Sequence, residues 1–384
     1  MATISRRLFG LGFVTATALL SLGSQSCSKN SNEVVVGAYL SLSGSDSTFG
    51  TDTRDGIELA VTEVNTAGGV KGKKVKVIYE DDKSTSQEAS NKVRQLIDRD
   101  HAVAILGEVA SSRSLAGGLI ANTKRVPMIT PSSTAVEVTK DREYVFRTCF
   151  TDAQQGDVAA RFVVQTLKKK NVGLMYVSQD NYSAGLAKSF KESLQKLGGT
   201  VVVEKGYQQK ETQFKTLLSA IKEANPEVIF VPVYYNDMVQ IARQAAESGI
   251  PGSMFVGGDG WDSSDLIEGA GDKLEGAYFT NHYAPDVPWQ NSQTFLKSYK
   301  AKYNRDPSSL SAQGYDSARL LFDAMGRATE LTPEAIKTAL TQTKDFAGAT
   351  GMLTIDKDHN ANKPIVVVQI KAKKFTYSSQ LMSQ

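Results

Sequence analysis

The feature that most constrains the fold of this 384-residue chain is an alternation of short apolar runs with stretches of helical spacing. Runs at Val34–Tyr39, Val75–Tyr79 and Val103–Leu106 have the length of buried strands, and apolar residues recur at helical intervals after each of them. A strand, a crossover helix and a further strand leave neighbouring strands parallel. We therefore predict an α/β fold with parallel-sheet cores covered by helices on both faces.

The chain is long enough for two domains, because a single ordinary core stops growing below this length. Tyr144–Phe150 has the pattern of a strand that leaves the first domain, and a second alternating series begins near Ala159. Its predicted strands are Val172–Val177, Val201–Glu204, Val228–Val231, Met254–Val256 and Ala277–Thr280. Further strands are predicted at Met352–Ile355, Ile365–Ile370 and Phe375–Tyr377.

Small hydroxyl residues follow two neighbouring runs of the first series. They are Ser111 and Ser112 after Val103–Leu106, and Ser132, Ser133 and Thr134 after Val126–Ile129. Strand-to-helix turns present unpaired N–H groups and the positive end of the helix dipole to an anion. Ordinary helix capping would explain one such turn. Two in tandem favour a crevice that binds a carboxylate.

Composition argues against several other functions. The 44 basic and 41 acidic side chains give a formal net charge of only +3 and form no basic tract for nucleic acid. The three histidines, His101, His282 and His359, are far apart and have no zinc-site spacing. No Gly-x-Ser-x-Gly elbow is present. We therefore expect a binding protein with no catalytic residue, no metal and no cofactor.

The first residues have the pattern of an export signal. Arg6 and Arg7 precede an apolar run at 8–22 that is short for a membrane span, and small and polar residues then lead to Cys27. Ser5–Phe9 also resembles a twin-arginine export motif. Cys27 lies where a bacterial lipoprotein is acylated. We expect export to the periplasm or to the outer face of the cytoplasmic membrane, with Cys27 as the only membrane anchor.

A set of short motifs occurs in order from about Val34 to the C-terminal strands. The motifs are Ser43-Gly44, Phe49-Gly50, Asn65, Gly68–Gly72, Ala110–Ser112, Thr130–Thr134, Arg147-Thr148, Gln155-Gly156, Asn181–Ala187, Tyr234–Met238, Gly257–Trp261 and Gly314–Asp316. In this order they resemble the substrate-binding proteins of branched-chain amino acid ABC transporters, the leucine/isoleucine/valine-binding type. The resemblance implies a type I periplasmic binding protein, with two Rossmann-like lobes joined by a multi-crossing hinge that close like a Venus flytrap.

The resemblance also implies roles for residues at matching positions. Ser111 and Thr134 would donate hydrogen bonds to the α-carboxylate of the ligand, with Ser132 beside them. Asp237, where the family usually has Glu, would bind the α-ammonium group. The remaining candidate ligand-binding residues are Phe49, Ser112, Tyr182, Asp259 and Trp261.

Some of these residues admit a second interpretation. Tyr182 and Phe49 suit a core position as well as a place in the site. Asp237 is also placed to cap a helix that begins at Met238. Trp261 stands in a polar loop where leucine-type proteins have small residues, so we expect it to reshape the pocket wall.

The resemblance leads to predicted boundaries and a predicted function. The export signal is expected at 1–27, the first lobe at 33–150 with 282–353, and the second lobe at 151–281 with 354–384. We expect a monomeric receptor that delivers a branched-chain, other apolar or aromatic amino acid to an ABC transporter permease. The alternatives are a receptor for a neutral amide or other small polar solute, an amino acid sensory module and an exported hydrolase.

Overall fold

The protein, seen here in a computed structural model, is described over residues 1–3 and 32–382. Most of the predicted export segment, including Cys27, lies outside the described residues. The first sheet has five parallel strands in the order β2-β1-β3-β4-β5. They are β1 (Glu33–Leu40), β2 (Lys74–Asp81), β3 (Ile105–Leu106), β4 (Met128–Thr130) and β5 (Val145–Arg147). The parallel sheet predicted from the alternating pattern is confirmed, and it forms the core of the first lobe.

A second sheet forms the core of the second lobe and begins with five parallel strands. They are β6 (Asn171–Val177), β7 (Thr200–Tyr207), β8 (Val228–Val231), β9 (Phe255–Gly257) and β10 (Tyr278–Asn281). The central strand β8 is buried along its whole length. This burial fits its unbroken apolar sequence, because a parallel strand covered by helices on both faces is apolar throughout.

Helices link the strands, and their ends follow from local chemistry. Thr85 and Asp180 each accept a hydrogen bond from a backbone N–H of the helix that follows. Gly68 and Gly69 have φ values of 104° and 80° and stop the first helix. The helices are α1 (Ser47–Thr66), α2 (Ser86–Asp98), α3 (Ser111–Thr123), α4 (Asp152–Arg161), α5 (Asn181–Lys196), α6 (Lys215–Glu223), α7 (Tyr235–Glu247), α8 (Ser264–Ala270), α9 (Gln290–Tyr303), α10 (Ser309–Arg327) and α11 (Pro333–Thr341).

The chain returns to the first lobe after β10. Helix α10 packs along α1 so closely that a Cβ at Gly56 would lie 1.9 Å from the carbonyl oxygen of Ser311. A Cβ at Gly314 would similarly lie 2.3 Å from the carbonyl oxygen of Thr53. The glycines therefore set the separation of the two helices. This packing brings Leu310, at the start of α10, to the edge of the first sheet.

The last passage between the lobes comes later than predicted. A small antiparallel sheet follows α11, with the order β11 (Phe346–Gly348), β12 (Gly351–Ile355) and β13 (Ala361–Asn362). The strands β14 (Ile365–Lys371) and β15 (Lys374–Leu381) then complete the second sheet, whose order is β15-β14-β10-β9-β8-β6-β7. The predicted boundary at Leu353 differs from this arrangement, because Leu353 lies inside β12, which is paired on both sides.

Candidate ligand-binding site

A small cavity lies where the carboxyl ends of the two parallel sheets face each other. It is lined by Phe49, Val109, Ser111, Ser132, Thr134, Tyr182, Tyr234, Asp259, Gly260 and Leu310. The cavity volume is only ≈ 10 Å³, about the space that one water molecule needs. The walls therefore lie close together, and a larger solute fits between them only when the lobes move apart. Open α/β sheets bind ligands at this end of their strands.

The first-lobe side of the cavity is built on the turn between β3 and α3. Gly107 begins this turn with a φ of 118°, and a Cβ there would lie 2.1 Å from the carbonyl oxygen of Tyr39. Only glycine fits such a conformation at such a distance. The turn delivers Ser111 as the first residue of α3, where helix N–H groups have no partners within the helix. This end of the cavity therefore favours an anion.

The second turn of the first lobe, after β4, is held rigidly by buried hydrogen bonds. The Ser133 hydroxyl contacts the carbonyl oxygens of Glu108 and Val109 at 3.0 and 2.8 Å. The buried guanidinium of Arg147 donates to the carbonyl oxygens of Ser133 and Ala135 at 2.8 and 2.9 Å. Polar groups fixed in this way need little reorganisation when a ligand binds.

Thr134 offers a buried hydroxyl to the cavity. Its side chain lines the cavity and is 1% exposed, and its Oγ1 atom makes no well-formed hydrogen bond to a described residue. The buried carboxyl of Asp152 lies near it on the protein side. A buried hydroxyl without a partner costs roughly 1–3 kcal/mol. A polar group of a ligand would remove that cost.

The second-lobe side of the cavity supplies a carboxylate. Asp259 lies in a 3₁₀ turn after β9 and is the one charged side chain among the described residues that line the cavity. Its Oδ1 accepts a hydrogen bond from Gln155 Nε2 at 2.9 Å, and its Oδ2 lies 3.0 Å from Nε2 of His282. An ionised carboxylate has about four acceptor positions, so it can also accept from a ligand.

Aromatic rings close the remaining walls. Tyr182 and Tyr234 stack with their centroids 4.9 Å apart, and Phe49 meets Tyr234 edge-on at 5.8 Å. The Tyr182 hydroxyl accepts a hydrogen bond from the backbone N–H of Gly260 at 3.0 Å. Burial raises the pKa of Tyr182 and of Tyr234 well above the ordinary value, so both rings stay uncharged. These walls suit an apolar group.

Three predicted site residues, Ser112, Asp237 and Trp261, do not line this cavity. Ser112 and Asp237 line a larger cleft beyond Tyr234. Asp237 is in the first turn of α7, and its Oδ2 accepts a hydrogen bond from the Tyr207 hydroxyl at 2.8 Å. It is not the capping residue either, because the residue that precedes α7 is Tyr234. The helix therefore turns the Asp237 side chain away from the cavity.

Trp261 also differs from the prediction. Its side chain is 0% exposed and does not line the cavity, and its indole Nε1 donates to the carbonyl oxygen of Val231 at 3.0 Å. Space for the ring comes from Gly257, where a Cβ would lie 2.2 Å from the indole. The polar loop sequence suggested a pocket wall, but the missing side chain at Gly257, four residues earlier and at the end of β9, opens a place in the core.

Four cavity residues were not predicted as site residues. They are Val109, Tyr234, Gly260 and Leu310. Tyr234 was part of a recognised motif, and its position three residues after β8, just before α7, would have been a usable signal. Leu310 carried no such signal, because it reaches the cavity only through the packing of α10 on α1.

The arrangement can hold a small molecule that is charged at both ends. Hydroxyl groups and helix N–H groups on the first lobe face a carboxylate on the second lobe, and aromatic rings lie between them. Among residues 1–3 and 32–382, no group of three or more His, Cys, Asp or Glu side chains is placed to hold a metal ion. In the same residues, no helix is long and apolar enough to cross a membrane.

Two α/β lobes that close on a small polar cavity define a solute receptor of the periplasmic binding class. The family model described as periplasmic binding protein matches residues 33–375. The chain belongs to that family.

Sequence and structure comparisons identify similar proteins. The leucine-binding protein LivK of Thermotoga maritima has a TM-score of 0.86 and 34% identity, over 91% of this chain and 99% of that one. The branched-chain amino acid transporter substrate-binding protein LivJ of Streptococcus pneumoniae, in complex with isoleucine, has a TM-score of 0.86 and 33% identity over the same shares. A leucine-, isoleucine-, valine-, threonine- and alanine-binding protein of Pseudomonas aeruginosa is 28% identical over 342 residues, 88% of this chain and 90% of that protein. The resemblance to branched-chain amino acid-binding proteins is confirmed.

Proposed function

We propose that this protein is the extracytoplasmic receptor of an ABC transporter and that it binds an apolar amino acid as its zwitterion. One observation carries the proposal: the Thr134 hydroxyl and the Asp259 carboxylate both line one small cavity, the first on the first lobe and the second on the second lobe. Isoleucine in the similar Streptococcus pneumoniae protein supports a branched-chain side chain.

The two ends of the ligand have different partners in this proposal. Ser111 and Thr134 bind the α-carboxylate together with helix N–H groups, and Ser132 completes that end. Asp259 takes the role first predicted for Asp237 and binds the α-ammonium group. The rings of Phe49, Tyr182 and Tyr234 contact the side chain. Closure of the lobes excludes water, which strengthens each of these polar contacts.

Calorimetric titration with a panel of amino acids tests the proposal. The wild type is expected to bind at least one apolar amino acid. Asp259→Asn leaves a ligand ammonium without its buried counter-charge, a loss of about 3–5 kcal/mol, which corresponds to roughly a hundred- to several-thousand-fold weaker binding. Asp237→Asn is the matched control, because Asp237 lies in the neighbouring cleft, and it should bind nearly as the wild type does.

The same titrations separate the alternatives. Deaminated analogues of the bound amino acid should bind far more weakly, because they lack the group that faces Asp259. Equal binding of those analogues, or unchanged binding by Asp259→Asn, would identify a receptor for a different small polar solute. Chemical conversion of the bound molecule would identify an enzyme instead.

The proposal extends to delivery and location. Hinge closure changes the relative orientation of the two lobes, so a permease that contacts both lobes can distinguish the closed, loaded receptor from the open one. Export is proposed to depend on Arg6 and Arg7, and membrane attachment on acylation of Cys27. Labelling with a radioactive fatty acid tests the anchor: label should enter the wild type and not Cys27→Ser. Label in both proteins would rule out Cys27 as the acylation site.

A further inference from the structure

One buried histidine joins the two ends of the cavity. His282 follows β10, where the chain passes back to the first lobe, and its side chain is 0% exposed. Its Nε2 lies 3.0 Å from Oδ2 of Asp259 and 3.5 Å from Oγ of Ser132. Its ring stacks on Phe150, with the centroids 3.9 Å apart and the planes inclined by 25°. The ring is therefore fixed in place against the carboxylate that faces the ligand.

The carboxylate is held from both sides. Gln155 Nε2 donates to Oδ1 of Asp259 at 2.9 Å and also lies 3.0 Å from Oγ1 of Thr280. His282 holds the other oxygen. Because Gln155 and His282 come from different elements, they fix the plane of the carboxylate and leave its remaining acceptor positions to the cavity.

The geometry determines the form of the histidine. An ionised Asp259 only accepts, so Nε2 of His282 carries the proton, and Nδ1 is buried with no hydrogen-bond partner among the described residues. Burial lowers the pKa of His282, the bond to Asp259 opposes that effect, and the charge of Lys363 adds to it. Asp152 and Arg147 are the other titratable groups around this network; burial and then the Asp259 charge raise the pKa of Asp152 well above its ordinary value, so its carboxyl is neutral at neutral pH. His282 is thus neutral at neutral pH.

We propose that His282 is a positioning residue that orients Asp259 for the ligand's ammonium group, and that a proton on His282 competes with that ammonium for the same carboxylate. The inference rests on the proposed function. An imidazolium at this place would neutralise Asp259 and repel a second cation within the cavity. Ligand binding therefore favours the neutral histidine, and acidification favours the ligand-free receptor.

Titration of the bound amino acid from about pH 8 down to about pH 4.5 tests the inference, because burial lowers the pKa of His282 below its ordinary value and its protonation therefore falls in the acid half of this range. The Kd of the wild type should rise as the pH falls, by up to about tenfold per pH unit once the ligand-free His282 is protonated, since one proton is then displaced per ligand. His282→Gln keeps a donor near Asp259 but cannot take up the proton. We expect its Kd to be nearly constant over this range. Equal pH profiles for the two proteins would overturn the inference.

His359→Gln is the matched control. His359 is partly buried and, like His282, stacks on a phenylalanine: its ring centroid lies 4.1 Å from that of Phe146. Its Nδ1 contacts the carbonyl oxygen of Val145 and not the site. This variant should keep the wild-type pH profile. If the dependence of Kd on pH is lost in His359→Gln and kept in His282→Gln, the proton that affects binding belongs to His359, and the inference is overturned.

A second measurement needs no change at His282. The chain has three histidines, so NMR of the ring protons can follow each one, with His101→Gln and His359→Gln assigning the signals by subtraction. The His282 signal should titrate at lower pH in the presence of ligand than in its absence. If the titration of the His282 signal does not shift with ligand while calorimetry still shows amino acid binding, the inference is overturned and the proposed function stands. A wild type that binds no amino acid would overturn both proposals.

Discussion

The hydroxyl of Tyr235 donates a hydrogen bond to the carbonyl oxygen of Ser45 at 3.0 Å and so joins the second lobe to the first. Beside it, Phe49 packs edge-on against the Tyr235 ring with the centroids 4.9 Å apart. Thr48 and Asp265 form a further hydrogen bond between the lobes. These contacts join the lobes beside Phe49, which lines the cavity, so they hold the lobes in a closed arrangement.

Tyr235→Phe is expected to loosen this closure. The variant keeps the ring against Phe49 and removes the hydroxyl that bonds to Ser45 and interacts with Thr48. Such a hydrogen bond is worth about 0.5–1.5 kcal/mol. We expect the ligand to dissociate roughly threefold to tenfold faster, with a smaller change in the association rate, because closure follows entry. Stopped-flow fluorescence measures both rates. Tyr176→Phe, which removes a hydroxyl bonded to Glu204 on the second sheet, is the control and should dissociate at the wild-type rate.

Thr134→Val should weaken binding without weakening the fold. The Oγ1 atom makes no well-formed hydrogen bond to a described residue, so its loss removes at most a weak contact with the buried Asp152 carboxyl. A hydrogen bond to a charged group contributes about 1.5–3 kcal/mol, so the Kd should rise by roughly ten- to a hundredfold. Thr134→Ser keeps the hydroxyl and should retain most of the affinity. Calorimetry and urea unfolding of the two variants check this, and a large loss of stability with unchanged affinity would contradict it.

Much of the fold and half of the site could be predicted from local sequence. Buried strands of a parallel sheet are short apolar runs, and the hydroxyl residues after β3 and β4 must lie at the carboxyl edge of that sheet. Ser111 and Thr134 were therefore predictable as neighbours in one crevice. Their distance from Asp259 in sequence did not matter, because both sheets point their carboxyl ends at the same cleft.

The rest depends on packing that local sequence does not encode. Asp237 and Asp259 both follow strands of the second lobe, but one lies inside a helical turn that points it at Tyr207, and the other lies in a 3₁₀ turn at the cavity. The place of Trp261 depends on space at Gly257. The late passage to the second lobe depends on the pairing of β12 with β13, which separates Leu353 from β14.

Trp261→Phe distinguishes a core residue from a pocket wall. The substitution leaves the carbonyl oxygen of Val231 without its donor and leaves space beside Gly257. We expect the free energy of unfolding to fall by about 2–4 kcal/mol, and the Kd at a temperature where the variant is folded to change by less than about threefold. Urea unfolding and calorimetry measure the two effects. If the variant prefers a different amino acid and its stability is unchanged, Trp261 is part of the pocket wall and this prediction is wrong.

Asp82→Asn should stabilise the protein increasingly as the pH rises. Asp82 is fully buried and shares the Ser41 hydroxyl with Glu108, and burial followed by the Glu108 charge raises its pKa from 3.8 to about 7. A raised pKa means that Asp82 supports folding below about pH 4 and that this support is lost as the pH rises through 7. Asparagine does not ionise, so the variant does not lose stability in this way. Urea unfolding at pH 4.5 and 7.5 should show the variant gaining on the wild type by an amount on the order of 1 kcal/mol or more; a constant difference would contradict the shifted pKa.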